Sequence, residues 1–293
     1  MGLSQTEIRR NGQSRSLAMC ASVQAALRQD RLLFAFQPVV CAATGNIDYF
    51  ECLLRMRNIE GSIVAGGKFI TAIEQLGLIG FIDHYVLEQT VRELASCPEI
   101  RLGLNISSQT ACAGSWLQSL SSRLRHRPDL ACRLVVEITE TAALEDIEEA
   151  ARFVDALHNI GCRVALDDFG AGHTSLRHLQ LLTVDTVKID GSFVRNLPSS
   201  REQRIVLRDL IELIKGFGFA TVAEGVESAE EAALVRAAGV GYLQGYHLGP
   251  PTIERAWLDV ATADGAAPHR RPVPTSEPMA RNVDRWQAEN GPE

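Results

Sequence analysis

The sequence predicts an α/β protein built as a TIM-like (β/α)8 barrel with an antiparallel first strand. Apolar runs of strand length alternate with amphipathic runs of helix length, the pattern of a parallel sheet covered by helices. The chain has 293 residues and is 46% hydrophobic, which is enough for the core of one barrel domain. The turn-prone AATGN separates the first two apolar runs, and so short a connection implies an antiparallel pair.

The predicted elements follow in a regular order. A helical lead-in, AMCASVQAALRQD, precedes the strands LLFAFQPVV and IDYFECLLRMR, and the helices KFITAIEQLG and FIDHYVLEQTVRELASC follow them. Further strands are predicted at IRLGLNIS, CRLVVEITE, RVALDDFG, TVKID, ATVAEGV and YLQGY. The helices between them are SWLQSLSSRLRHR, DIEEAARFVDALHNIG, SLRHLQLL, REQRIVLRDLIELIKGFG and AEEAALVRAAG. The total is eight strands, the number that closes such a barrel.

Composition divides the chain into three predicted regions. Residues 1–20 are predicted to form a leader or linker and residues 21–260 the barrel domain. Residues 261–293 are rich in Pro, Ala and charged residues, which predicts a mostly disordered tail.

No apolar run approaches the roughly 20 residues of a membrane helix, and the N-terminus lacks the apolar segment of a secretory signal. Seven scattered cysteines without a CxxC pair indicate reduced thiols. We therefore predict a cytoplasmic protein.

The charge of the chain limits its partners. The net charge is -7 and the isoelectric point is near 5.6, so we expect no binding to DNA or RNA duplexes, which requires a basic face. If the protein handles phosphates, local groups must neutralise them.

Polar residues stand where six successive predicted strands end. A single polar residue at a strand end often only marks the exit to solvent or caps the next helix. In a barrel, however, all C-terminal strand ends face one mouth, where barrel enzymes carry out their chemistry. Six in succession predict a site there, made of Asn105, Glu137, Asp167 with Asp168, Lys188, Glu224 and Gln244.

The acidic residues in this set predict a metal site. Several carboxylates in one partly buried mouth raise one another's pKa and cost stability, and a cation relieves both effects. Carboxylates together with the Asn105 carbonyl suit Mg²⁺, Mn²⁺ or Ca²⁺ rather than zinc. The adjacent Asp167 and Asp168 fit two-metal phosphoryl chemistry, since one can bridge two ions about 3.5 to 4 Å apart while the other binds one of them.

The motifs also carry a family resemblance. YFECLLR at residues 49–55 resembles the signature of the EAL-domain family of cyclic di-GMP phosphodiesterases, with Cys52 at the position of the signature alanine. FQPVV, NIS, VEITE, DDFGAG, VKID, AEGVE and LQGY stand in the family's order, and the agreement runs from about Gln24 to Trp257. Eight ordered motifs are a specific match. The resemblance implies an EAL-type barrel and hydrolysis of cyclic di-GMP to linear 5′-pGpG.

The resemblance implies a role for each matching residue. One metal ion would be held by Glu51, Asn105, Glu137 and Asp167, and the second by Asp167 and Asp168. Glu224 would act as general base on the attacking water, and Lys188 would orient and polarise that water. The substrate would contact Gln37, Leu53, Arg55 and Gln244. Glu140 would anchor the loop DFGAGHTSL, which includes Phe169 and Gly170, and Glu227 would support the base.

The resemblance also implies cofactors and partners. The cofactors would be two Mg²⁺ or Mn²⁺ ions per site, with Ca²⁺ inhibitory. A homodimer would form through the loop after Asp168 and its neighbouring helix. EIRRNGQSRS is similar to the end of a diguanylate cyclase domain, which suggests an upstream sensor or cyclase domain in a longer chain; the alternative is a disordered basic leader.

Departures from the family pattern leave alternatives open. Cys52 is expected to be a conservative packing change. Met56 replaces a tryptophan, and residues 58–70 lack the family's His-Pro, which predicts a shorter or looser loop. Arg55 could instead form an ordinary surface ion pair, and Glu227 could instead serve a helix dipole in a first turn. The alternative for the whole chain is a catalytically silent EAL module that acts as a cyclic di-GMP receptor.

Overall fold

The computed structural model describes residues 5–111, 113–171 and 176–258. By its contacts the chain divides into a unit that ends at Glu254 and a second unit that begins at Arg255. The second unit is described only at residues 255–258, which include a helical piece at 256–258. The predicted tail, residues 261–293, lies outside the described residues.

The first unit contains a sheet that closes on itself. In the part of the chain that the structure describes, its strands are β1 Leu32–Cys41, β2 Ile47–Arg57, β3 Ile63–Ala65, β4 Leu102–Ile106, β5 Leu134–Thr139, β6 Arg163–Phe169, β7 Thr186–Ile189, β8 Ala220–Ala223 and β9 Tyr242–Gln244. Their order is β1-β9-β8-β7-β6-β5-β4-β2-β3, and pairing of β1 with β2 closes the barrel. β1 is antiparallel to both neighbours, whereas β2 and β4 to β9 pair in parallel. The predicted eight-stranded barrel with an antiparallel first strand is confirmed, and β3 is an additional short strand on β2.

Helices alternate with the strands around this barrel. The described helices are α1 Gln5–Arg28, α2 Ile70–Gln75, α3 Ile79–Ser96, α4 Ser108–Ala111, α5 Ser115–Leu124, α6 Pro128–Ala131, α7 Glu140–Glu145, α8 Ile147–Ile160, α9 Leu176–Leu181, α10 Arg201–Gly216 and α11 Ala229–Ala237. Helix α1 begins well before the predicted lead-in. None of these helices is both long and apolar enough to cross a membrane.

The helix starts are encoded locally. Asp146, Ser200 and Ser228 precede α8, α10 and α11, and each side chain accepts a hydrogen bond from the backbone N–H three residues further on. The apolar face of α10 follows the helical period, so that it buries Leu207, Ile211 and Ile214. These caps and apolar faces explain why the helices begin where the sequence predicts and pack on the strands.

The barrel interior holds an apolar layer. It consists of the buried residues Val39, Tyr49, Val135, Ala165 and Val222, which we call the floor cluster. Side chains on a strand alternate between two faces, so a residue two positions away from a floor residue points into the same interior. On the parallel strands that residue lies toward the C-terminal mouth. Because β1 runs in the opposite direction, its mouth residue, Gln37, precedes Val39 in the sequence.

The segment after β2 was predicted to be a shorter or looser loop. In the structure the Asn58 side chain accepts hydrogen bonds from the backbone N–H groups of Glu60 and Ser62, at 3.0 and 2.8 Å. This tight turn leads into β3, which pairs with the end of β2. The segment is therefore organised by a local turn where the family motif is missing.

The thiols agree with a reduced protein. The six cysteines among the described residues are free. Burial raises the pKa of the Cys52 thiol well above its usual value, which favours the packing interpretation over a redox role.

Candidate active site at the mouth of the barrel

Five carboxylates lie at the mouth, and four of them surround one lysine. We call Glu51, Glu137, Asp167, Asp168 and Glu224 the acidic cluster. Lys188 is fully buried, with 0% of its surface exposed. Its Nζ lies at ion-pair distance from four of the carboxylates: 2.7 Å from Glu137 Oε2, 2.8 Å from Glu224 Oε1, 2.9 Å from Asp167 Oδ1 and 3.4 Å from Glu51 Oε2. The structure therefore places Lys188 inside the site rather than on its rim.

The carboxylates form two groups that share one residue. Ligand atoms of Glu51, Glu137 and Asp167 lie within 4.8 Å of one another, and the same holds for Asp167, Asp168 and Glu224. Asp167 belongs to both groups. This is the arrangement that a bridging ligand between two cations requires.

A bulge in β6 explains how two adjacent aspartates reach the same site. Neighbouring residues of a regular strand point to opposite faces. The β6–β7 register shifts between Leu166 and Phe169, and Asp168 has a φ of 56°, in the left-handed region. This local turn allows the exposed Asp168 carboxylate to lie close to the buried carboxylate of Asp167. A strand pattern read from sequence alone does not reveal it.

The start of the loop after β6 is held by Glu140. The Glu140 Oε2 atom accepts a hydrogen bond from the Gly170 backbone N–H at 2.5 Å, and Phe169 beside it is buried. Gly170 has a φ of 92°, and a Cβ there would collide with the ring of Phe193, so glycine is required. The loop residues 172–175, which include His173, lie outside the described residues.

Two glutamines connect the cluster to the predicted substrate side. The Gln244 Nε2 atom donates to Glu51 Oε2 at 2.6 Å and to Gln37 Oε1 at 3.3 Å. Within the described structure the buried Gln244 Oε1 atom has no hydrogen-bond partner. An acceptor left in this state is costly unless a ligand satisfies it.

Arg55 and Leu53 lie further along β2 toward the mouth, and both are partly buried. The Arg55 guanidinium donates through one terminal nitrogen to the Leu54 backbone oxygen at 3.0 Å. Among the residues that the structure describes it pairs with no carboxylate, so the alternative of a surface ion pair is not observed. Its remaining donors can reach an anion.

Glu227 is not brought into the cluster. It is exposed and directly precedes Ser228, the N-cap of α11, so it does not lie in the first turn of that helix. Its backbone N–H donates to Glu231 Oε2 at 2.8 Å. Its side chain has no hydrogen bond or ion pair with the described residues of the acidic cluster.

Two further residues, which the sequence did not single out, complete the site from below. The Tyr49 hydroxyl donates to Glu137 Oε1 at 3.0 Å. A Cβ on Gly103 would lie 2.5 Å from the same Oε1 atom and 2.8 Å from Tyr49 Cε2. The available signal was the strand period: Tyr49 precedes Glu51 by two residues and so points to the same face of β2.

Burial and charge shift the ionisation of the site. Burial raises the pKa values of Glu137 and Glu224, although Lys188 acts in the opposite direction. For Glu51, burial is outweighed by Lys188 and by hydrogen bonds from two side-chain amides, so its pKa is lowered. Burial likewise disfavours the Lys188 ammonium, but the surrounding carboxylates outweigh it and hold the pKa well above its usual value. The Lys188 ammonium therefore stays charged, whereas Glu137 and Glu224 take up a proton more readily than exposed carboxylates do.

The donor set fits hard divalent cations. Asp167 Oδ1 is buried and accepts no hydrogen bond in the described structure. Lys188 Nζ lies 2.9 Å from it, which is an ion-pair distance, but the angles of this contact are not those of a hydrogen bond. Asn105 donates through Nδ2 to Glu51 Oε1 at 2.7 Å, so its carbonyl oxygen remains as a ligand atom. One ammonium cannot balance five carboxylates. All candidate ligand atoms are oxygens, which Mg²⁺ and Mn²⁺ prefer.

The fold is a TIM-like barrel, and the site at its C-terminal mouth consists of oxygen ligands that could hold divalent cations. The sequence model of the EAL domain family matches residues 21–251, and the chain belongs to this family. The predicted family is thereby confirmed.

Two proteins of similar sequence are named cyclic di-GMP phosphodiesterases. The chain is 31% identical over 239 residues to the cyclic di-GMP phosphodiesterase PdeF of Escherichia coli (strain K12), covering 80% of this chain and 32% of PdeF. It is 33% identical over 220 residues to the cyclic di-GMP phosphodiesterase PdeL of the same strain, covering 73% of this chain and 61% of PdeL. The chain thus spans about a third of the length of PdeF and less than two thirds of PdeL.

Solved structures share the fold. The FimX EAL domain of Pseudomonas aeruginosa, bound to c-di-GMP, is 30% identical with a TM-score of 0.74, over 80% of this chain and 97% of that domain. The PaMucR phosphodiesterase in its c-di-GMP complex is 26% identical with a TM-score of 0.75, also over 80% of this chain and 97% of that one.

Proposed function

We propose that this protein is a metal-dependent phosphodiesterase that hydrolyses cyclic di-GMP to linear 5′-pGpG and so lowers the level of this second messenger. One observation carries the proposal. The two carboxylate groups share Asp167 and enclose the buried Lys188 at the mouth of an EAL-family barrel. The phosphodiesterases PdeF and PdeL, to which the chain is similar, support the choice of substrate.

Cations would be held by the oxygen ligands of this mouth. Glu51, Asn105, Glu137 and Asp167 would hold one Mg²⁺ or Mn²⁺ ion, and Asp167 and Asp168 the second. When bound, such ions supply positive charge that neutralises the phosphodiester and lowers the pKa of the attacking water. Ca²⁺ would inhibit.

Glu224 would take the proton of the attacking water. Its side chain is 17% exposed, whereas that of Glu137 is 0% exposed, so its carboxylate is the more accessible to water. Lys188 Nζ lies 2.8 Å from Glu224 Oε1 and would orient the water toward the base while it compensates the negative charge around it. For this reason we assign Glu224 the role of base rather than that of a ligand.

The residues beside the cluster would bind the nucleotide. Arg55 would present two parallel N–H donors to a phosphate, a geometry that lysine cannot offer. Gln244 Oε1, buried without a partner in the described structure, would accept a hydrogen bond from the substrate. Gln37 and Leu53 would line the same side, while Glu140 would hold the loop that begins at Phe169 and Gly170.

Turnover of cyclic di-GMP by purified protein is the test. Mg²⁺, Mn²⁺ and Ca²⁺ are each compared with an EDTA control, and the products are separated by chromatography. Metal-dependent appearance of pGpG is expected with Mg²⁺ or Mn²⁺. Ligand binding without product would favour the receptor alternative, and absence of both binding and turnover would contradict both functions.

The remaining expectations stay predictions. A homodimer and an upstream sensor or cyclase domain are implied by the resemblance, and a cytoplasmic location is predicted from the cysteines and from the absence of a membrane-length apolar run or secretory signal in the sequence. Similarly, the assignment of residues 21–260 as the EAL domain and of residues 261–293 as a tail stays a prediction. Sedimentation over a range of protein concentrations would test the homodimer.

A further inference from the structure

The floor cluster contains one polar side chain. Of its five members, Val39, Tyr49, Val135, Ala165 and Val222, only the tyrosine carries a hydroxyl. Tyr49 is buried, with 4% of its surface exposed. Burial of a hydroxyl in an apolar layer costs free energy unless a partner accepts a hydrogen bond from it. The position therefore calls for a specific contact.

That contact is with a carboxylate of the acidic cluster. The Tyr49 hydroxyl donates to Glu137 Oε1 at 3.0 Å, and Lys188 Nζ lies 2.7 Å from Glu137 Oε2. Each oxygen of the carboxylate is thus held by a different donor, which fixes the plane of the group. Glu137 has 0% of its surface exposed, so bulk water cannot readily replace a lost donor.

Gly103 supplies the space for this arrangement. It has no positive φ, so its backbone conformation does not require glycine. A Cβ there would lie 2.5 Å from Glu137 Oε1 and 2.8 Å from Tyr49 Cε2. A side chain at position 103 would therefore push on the carboxylate and the ring at the same time.

We propose that Tyr49 is a positioning residue of the cation site, whose hydroxyl fixes the Glu137 carboxylate from beneath, and that Gly103 is small in order to admit the tyrosine ring. The inference rests on the proposed function and adds two residues to it. Tyr49 does not touch the substrate or the reacting atoms. It acts through the orientation of one metal-ligating oxygen pair.

The test is direct Mn²⁺ binding to the whole protein without substrate, measured by calorimetry. Tyr49→Phe keeps the ring and removes the hydroxyl, and we expect Mn²⁺ affinity to fall about 10-fold, as when an outer partner of a metal ligand is removed. Tyr242→Phe is the matched control, because Tyr242 packs against the same floor cluster. It should bind Mn²⁺ like the natural protein. Equal affinity of Tyr49→Phe and Tyr242→Phe would overturn the proposal.

A mutant cycle shows whether Tyr49 acts through Glu137. In a Glu137→Ala background, Tyr49→Phe should change Mn²⁺ affinity by less than about 2-fold, since the oriented group is gone. An undiminished effect there would contradict a positioning role. Gly103→Ala should weaken Mn²⁺ binding at least as much as Tyr49→Phe, and unchanged binding would refute its part of the proposal.

Different experimental results would contradict the inference and the proposed function. If the natural protein binds no Mn²⁺ and releases no pGpG, the proposed function fails and the inference with it. If the natural protein binds Mn²⁺ and turns over substrate while Tyr49→Phe does the same, only the inference is wrong.

Discussion

The mouth of the barrel and the floor cluster directly beneath it are made by the same strands, yet they have opposite chemistry. Each floor residue lies two positions from its mouth partner on the same strand or at its end, in the pairs Val39 and Gln37, Tyr49 and Glu51, Val135 and Glu137, Ala165 and Asp167, and Val222 and Glu224. The floor is apolar apart from the Tyr49 hydroxyl. The mouth gathers carboxylates around one ammonium.

This difference shows how the two layers depend on each other. The buried floor residues lie beneath the acidic cluster, and a lower effective dielectric makes each charge interaction in the mouth stronger. Apart from Tyr49, which contacts Glu137, substitutions in the floor should therefore act mainly on stability, and substitutions in the mouth mainly on ion binding and turnover. The following variants test this division, from the largest expected effect to the smallest.

Glu224→Gln should lower turnover by about 100- to 10,000-fold, the range that general acid–base catalysis contributes. Binding of cyclic di-GMP should change little, because the amide has the same shape. Steady-state kinetics with Mn²⁺ and a separate binding measurement check both expectations. The control is Glu230→Gln, at an exposed position on α11. Turnover that survives in Glu224→Gln would remove Glu224 from the role of base.

Asp167→Asn should weaken Mn²⁺ binding by about 100-fold or more, because loss of even an outer partner of a ligand costs about 10- to 100-fold. Substrate binding should fall with it, since Asp167 belongs to both carboxylate groups. Asp209→Asn, whose side chain is 59% exposed, is the control. Calorimetry with unchanged Mn²⁺ affinity would refute the bridging role.

Val222→Ala should reduce the free energy of unfolding by about 2 kcal/mol, since two buried groups of methylene size are lost. Turnover per folded molecule should stay within a few-fold. Denaturant unfolding and kinetics on the same sample make the comparison, with Val206→Ala as control because Val206 is 52% exposed. A large loss of turnover at unchanged stability would show that floor and mouth are not separable in this way.

Cys52→Ala should have the smallest effect. Cys52 is 3% exposed and lies on the opposite face of β2 from Glu51, so only one buried atom of methylene size is lost, worth about 0.8 kcal/mol. The rate should be nearly unaltered. Chemical unfolding together with turnover measures both quantities, and the exposed Cys132→Ala is the control. A large fall in rate would make the packing interpretation wrong.

Much of the fold could be predicted because its signals are local. Apolar runs of strand length, helical periodicity and capping residues such as Ser228 depend on neighbours in the sequence, and the short turn after β1 dictates an antiparallel pair. The family motifs likewise name the residue types at the strand ends. Strand β3 escaped prediction because its three residues form a strand only by pairing with β2.

By itself, the sequence determined the order of strands and helices, the place of the polar residues at the strand ends and the family of the chain. Only the tertiary structure decided how those residues meet. The bulge that brings Asp168 close to Asp167 and Glu224, the central position of Lys188 and the hydroxyl of Tyr49 beneath Glu137 all depend on strands far apart in sequence. The physical reason is that barrel closure and stagger set which side chains share one layer, and these are long-range properties of the folded chain.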